Sequence, residues 1–402
     1  MASTFGWLDQ DDAQRAAMNE VVKLFQDKSS VDELGIGPIR DAFSNSFFPG
    51  TSVLHTRIRY LLFVPWLLLE STRKGQPIDA ARIELKSHEV RLIKALLKGG
   101  MTSGVIGSQA QERLLTMPSQ VYWPALQRLG LIGWDSSIDA HLRRAGQAAR
   151  RGRDVTEGDV DEAGGPDLGV HRDIPAPPRD LLKTATFDLR ADEADFLQSM
   201  LVRLPGGSLL SWLAARPRGA SGAWPWEMPA VADLPETLSA SVEHARRLHH
   251  AWHGAPLLYN LMLAELTRRD DLVSVFDEAL ADWESELSDH RVFEAWSRPT
   301  FWSHVRALNP RLRTSTQDFV ERWCGVAERG EHRGEAARRL IIERELRLKG
   351  RRARLHHAQA RETWSPGAGT GRLGYRWGIA RSYLTDLHEG LTRDDASTEE
   401  IL

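Results

Sequence analysis

A mainly α-helical protein of two helical domains is predicted by three observations. Apolar residues recur at helical spacing through most of the chain, and alternating β-branched runs are almost absent. Between 135 and 183 the texture changes to Gly, Asp, Glu, Arg and Pro, including Gly164-Gly165-Pro166 and Pro175-Ala176-Pro177-Pro178. With few large apolar residues, this stretch reads as a linker or disordered insertion, its part around 138–151 as a short helix. The expected helical domains are therefore 1–134 and 184–402.

Residues 10–27 place Ala13, Ala16, Ala17, Val21, Leu24 and Phe25 on one helical face. A turn-rich passage with two glycines at 32–37 leads into Ile39, Ala42 and Phe43. Pro49-Gly50-Thr51-Ser52 signals a stop and a new start, with Thr51 or Ser52 capping a helix that carries Arg57 and Arg59. Residues 79–98 form an amphipathic helix with Ile83, Val90, Ile93, Leu96 and Leu97 apolar. Over 103–134, two short helices around Met117-Pro118-Ser119 precede Gly130-Leu131-Ile132-Gly133-Trp134. That is the shape of a helix-turn-helix or winged-helix element in the first domain. Further helices are expected from about 186, over 236–269, 271–289 and 315–327, as one exposed charged helix over 331–361, and over 377–391.

A chain of 402 residues can bury a sizeable core, and 42% apolar with 27% charged residues is ordinary for a globular protein. A net charge of −3 argues against a whole-surface polyanion binder while leaving room for a local basic patch. The single cysteine, Cys324, excludes an intramolecular disulfide and fits a reducing cytoplasm. No secretory signal is read at the N-terminus, and the apolar run at 60–69 is half the length a bilayer requires. A cytoplasmic protein without a membrane partner is expected.

Four segments could carry chemistry. Arg57 and Arg59, joined by His55, stand at the entrance of the apolar run, where buried guanidiniums need partners, water or an anion. They form either a phosphate or carboxylate clamp or pairs with core carboxylates such as Asp32, Glu33 or Asp41. In the helix-turn-helix reading Ser119, Gln120, Trp123 and Gln127 face a groove and Arg128 faces phosphate, although Pro124 and the scarcity of basic residues weigh against it. The third segment is 346–361, where Arg347, Lys349, Arg351, Arg352, Arg354 and Arg361 occur with no acidic residue and with His356 and His357 among them. This is the best electrostatic footprint in the chain for a nucleic-acid backbone, with Trp364, Tyr375 and Trp377 as candidate stacking platforms. The fourth pairs His249 and His253 one helical turn apart, but no third ligand is specified, so no metal is assigned. No P-loop, HExxH or G-x-S-x-G pattern is present, and no cofactor is expected.

Three stretches carry a resemblance: Phe5-Gly6-Trp7-Leu8, the run from Val31-Asp32-Glu33 to Asp41-Ala42-Phe43, and Thr56-Arg57-Ile58-Arg59-Tyr60 through Phe63-Val64-Pro65-Trp66. They resemble a bacterial domain-of-unknown-function family with a Gly-Trp-Leu start and a Thr-Arg-x-Arg-Tyr-x-x-Phe-Val-Pro-Trp signature. Weaker echoes are Pro118-Ser119-Gln120-Val121-Tyr122-Trp123 and Leu373-Gly374-Tyr375-Arg376-Trp377. The resemblance implies no activity or catalytic residue. It implies company with helicases and nuclease-like partners in mobile-element or defence-type gene clusters. The leading expectation is thus a non-catalytic nucleic-acid-associated subunit. The alternatives are an enzyme holding a phosphate-bearing substrate with Arg57 and Arg59, and a protein-interaction scaffold docking through the tryptophan-rich stretch at 212–226.

Overall fold

The computed structural model describes residues 32–156, 166–216 and 221–399. Among them the protein is mainly α, with fourteen α-helices, no strand and one isolated antiparallel bridge between Ile132 and Val170. The helix expected over 10–27 and the Phe5-Gly6-Trp7-Leu8 element lie outside the described residues. No helix among the described residues is long and apolar enough to cross a membrane.

In chain order the helices are α1 Gly37–Phe47, α2 Tyr60–Thr72, α3 Ile78–Lys98, α4 Pro118–Arg128, α5 Ile138–Thr156, α6 Ala191–Val202 and α7 Leu209–Ala214. Then follow α8 Glu236–Leu266, α9 Asp270–Asp289, α10 Arg298–Leu308, α11 Thr314–Glu328, α12 Glu335–Lys349, α13 Ala358–Arg361 and α14 Trp377–Glu399. They belong to two compact units, each assembled from two stretches of chain. One unit joins Ser44–Asp233 to Arg376–Leu402, and the other joins Met1–Phe43 to Leu234–Tyr375.

In the 44–233 unit, α2 is apolar all round and is buried from Tyr60 to Leu68, as a central helix must be. It packs against α3, α4 and α5, while α14 lies on α6 and α7. The helix starts later than expected. Arg57 precedes it and Arg59 sits at its N-cap position, so neither Thr51 nor Ser52 caps it. Thr51 Oγ1 instead donates to the Phe48 carbonyl, and Ser52 Oγ accepts from the Leu54 N–H.

The expected helix-turn-helix is not formed. Its first helix is reduced to a three-residue 3-10 turn, Gln111–Arg113, and only α4 follows. The described parts of 135–183 are built into the unit: α5 occupies the first part, Gly133 N donates to Gly169 O, and Trp66 Nε1 donates to Pro175 O at 2.7 Å. Residues 157–165 lie outside the described residues.

In the 234–375 unit, α8 is buried along most of 248–264 and packs against α9, α11 and α12. Gly254 lets α9 approach closely: a Cβ there would meet the Trp283 ring at 2.3 Å. Trp283 and Trp323 stack at 6.0 Å and donate their Nε1 hydrogens to the carbonyls of His250 and Ala251 on α8. The single charged helix expected over 331–361 breaks at Lys349. Gly350 takes φ +53, a conformation that side-chain-bearing residues rarely adopt, and a 3-10 turn, Gly350–Arg352, replaces the helix.

Candidate anion-binding cleft

The break at Gly350 turns the basic tract back toward α8 and α12, where Glu345 holds it. Glu345 is fully buried and accepts the Tyr259 hydroxyl at 2.7 Å and the backbone N–H groups of Arg354 and Leu355, each at 2.9 Å. Lys349 Nζ adds a fourth donor at 3.0 Å. Burial alone would raise this carboxyl, but these donors outweigh it and hold Glu345 below the usual carboxylate range. Tyr259 shifts the other way, pushed up by its own burial and by the charge on Glu345.

The turned tract and the loop at 32–36 border a cleft of about 960 Å³. Its inner cations are Lys349 and Arg354, both bound to Glu33: Arg354 NH1 donates to Glu33 Oε1 at 2.8 Å, and Lys349 Nζ to Oε2. Arg351, Arg352, His356 and His357 also line it, and Asp32 lines it beside Glu33. Arg351 and Arg352 are exposed and make no hydrogen bond or ion pair with the described residues. The His356 and His357 rings meet edge to face at 4.7 Å.

The other two basic residues of the tract do different work. Arg361 donates to the carbonyls of Arg354 and Leu355 and so braces the loop. Arg347 lines a separate hollow of about 330 Å³ between α11 and α12, with Arg322, Arg344, Asp318 and Glu343. Of the aromatic residues expected to stack, Tyr375 and Trp377 are buried, and Trp364 Nε1 is bound to Asn260 Oδ1 at 3.0 Å.

The arginines of the apolar run are held by core carboxylates of the 44–233 unit. Arg57 NH2 and Nε contact Asp386 at 2.6 and 3.0 Å, and Arg57 stacks over Phe187 at 5.2 Å. Arg59 reaches Glu193 Oε1 and the Thr186 carbonyl, each at 2.9 Å, while its buried Nε has no partner among the described residues. Asp386 and Glu193 thus take the place that the sequence reading gave to Asp32, Glu33 or Asp41. Neither is near the arginines in sequence, so no local signal pointed to them.

His55 lies flat on Tyr122 at 4.1 Å, with Nε2 facing the Val121 carbonyl at 3.1 Å and Nδ1 facing the Tyr383 hydroxyl at 2.9 Å. A carbonyl only accepts, so Nε2 carries the proton and Tyr383 donates to Nδ1. Burial pushes this imidazole down to about 4. His55, Arg57 and Arg59 hold segments of one unit together.

The groove-facing residues of the helix-turn-helix reading are occupied as well. Ser119 is buried, with its N–H donating to Glu89 at 2.7 Å, and Gln120 Oε1 accepts from the Met117 N–H. Trp123 is buried and donates to the Ser136 carbonyl, and Gln127 donates to the same oxygen at 3.0 Å. Gln120 and Arg128 are exposed. Among the described residues, no three His, Cys, Asp or Glu side chains are placed to share a metal. In the tryptophan-rich stretch Trp224 and Trp226 stack at 5.8 Å and Arg216 covers Trp212; residues 217–220 lie outside the described residues.

The residues that sequence reasoning missed are the acidic ones. Glu345 stands four residues before Lys349, a spacing that pairs charges on a helix and was available as a signal. Glu33 and Tyr259 reach the tract only through the tertiary fold. Comparison with curated proteins and with solved structures gives no match. A family model does match, over residues 2–390, a span that includes both the arginine signature and the cleft. The chain belongs to that family, a family of unknown function (DUF6361).

Proposed function

We propose that the protein is a non-catalytic nucleic-acid-binding component that holds a single-stranded backbone in the cleft of the 234–375 unit. One observation carries this reading: Arg351 and Arg352 project into a concave surface with His356 and His357, and no carboxylate of the described residues neutralises them. Cations left unpaired in a hollow focus potential and attract a polyanion. The volume, about 960 Å³, sits at the upper end of ordinary ligand clefts, roughly 300–1,000 Å³. A flexible strand can enter such a space, whereas a rigid duplex meets only its rim. The imidazoles offer faces on which bases stack. In this reading the chain contributes binding, and a helicase or nuclease partner would supply the chemistry.

Filter binding with single-stranded and duplex DNA and RNA at low salt tests the reading. Retention of single strands, with weaker retention of duplex, is the expected result. No retention of any of the four at low salt would remove it.

A further inference from the structure

We propose that Glu33 is a resident competitor that occupies the inner cations of the cleft until a phosphate backbone displaces it; this rests on the nucleic-acid reading above. Glu33 and Glu345 both touch Lys349, but their surroundings differ. Glu345 accepts two backbone N–H groups and the Tyr259 hydroxyl, so the loop cannot keep its shape without it. Among the described residues Glu33 accepts only from side-chain cations, one on each oxygen: Arg354 on Oε1 and Lys349 on Oε2. Two anionic oxygens bridging two cations is also the arrangement that a phosphate diester presents.

The backbone beside Glu33 is anchored independently of its side chain. The Asp32 carboxylate accepts the N–H groups of Gly35, Ile36 and Gly37 at 2.7, 2.9 and 2.7 Å. Arg344 donates to the carbonyls of Leu34 and Gly35, and Leu34 is buried. The Glu33 carboxylate can therefore leave by side-chain rotation while the loop stays in place. Exchange of one carboxylate for one phosphate brings little, so a lone anion competes poorly. A strand already held at Arg351 and Arg352 presents its next phosphate at high effective concentration and displaces Glu33. The device favours chains of phosphates over single ones.

The test is fluorescence anisotropy of a labelled single-stranded oligonucleotide with the full chain and its Glu33→Gln and Glu33→Asp variants, titrated with salt. Glu33→Gln is expected to bind about tenfold tighter, with log K against log salt steeper by about 0.7 for each phosphate newly contacted. Glu33→Asp keeps the charge but withdraws it by one methylene, and is expected to fall between wild type and Glu33→Gln. Unchanged or weaker binding by a folded Glu33→Gln overturns the proposal while the nucleic-acid reading stands. If circular dichroism shows Glu33→Gln unfolded, Glu33→Asp decides, and binding no tighter than wild type overturns it. Should neither wild type nor variant bind, the nucleic-acid reading fails and the competitor role falls with it.

Discussion

Arg57 gives two guanidinium nitrogens to Asp386, and Asp386 also accepts the Ile58 N–H at 3.2 Å. Removing the carboxylate would strand a part-buried cation beside Phe187 at the start of the central helix. Breaking a fully buried pair costs about 3–5 kcal/mol, and Arg57 retains some exposure. Asp386→Ala is therefore expected to destabilise by about 2–3 kcal/mol in urea unfolding, with part of the loss recovered in the double variant Arg57→Leu/Asp386→Ala. A loss no larger than that of a surface substitution would contradict the pairing.

His55 sets a pH dependence. Its folded pKa of about 4 lies below the ordinary imidazole value, because burial disfavours the charged form. The unfolded chain binds the proton first, so this contribution is complete above about pH 6.5 and is lost as pH falls toward 4. His141, also pushed down to about 4 by burial, acts in the same direction. Unfolding free energy is expected to fall between pH 6.5 and 4, and His55→Asn should flatten that slope. An unchanged slope in the variant would count against it.

At the scale of elements, the close approach of α8 and α9 depends on the absent side chain at Gly254. Gly254→Ala places a methyl group inside the Trp283 ring contact and is expected to cost about 1–3 kcal/mol or more, since overpacking forces the ring or the helix to shift. Thermal unfolding measures it, and an unaltered Tm would refute the packing account.

The helices with clear apolar periodicity were legible in sequence: α3, α8, α9 and α11 stand within a few residues of the expected bounds. The misreadings have physical causes. The charged run 331–361 is rich in helix formers, but the helix within it is ended by Gly350 at positive φ and by Glu345 capturing the N–H groups of Arg354 and Leu355. The first of the two short helices expected within 103–134 gave way to a short turn. Its neighbour α4 spends Ser119, Trp123 and Gln127 on packing and hydrogen bonds inside the unit.

Across the whole molecule, each unit is assembled from two separate stretches of chain, so residues of one unit lie far apart in sequence. The same topology explains how the candidate cleft was read. The six basic residues of 346–361 were visible as a run, yet the fold separates them into roles. Arg361 braces the loop, Arg347 faces another hollow, Lys349 and Arg354 answer Glu33, and Arg351 and Arg352 have no hydrogen bond or ion pair among the described residues. Sequence supplied the charge; only the tertiary arrangement of 32–36 against 345–357 distinguishes a bound cation from a free one. The net charge of −3 makes a local rather than a global footprint the relevant quantity.

The most direct test is a salt titration of single-stranded oligonucleotide binding by the wild type and by Arg351→Glu/Arg352→Glu, with thermal unfolding run alongside. Both side chains are exposed and carry no internal hydrogen bond or ion pair among the described residues, so the double variant should unfold at the wild-type temperature. Its affinity at low salt should drop by about tenfold or more, and its salt slope should lose roughly one unit. Equal affinity and equal slope in the two folded proteins would contradict the assignment of the cleft.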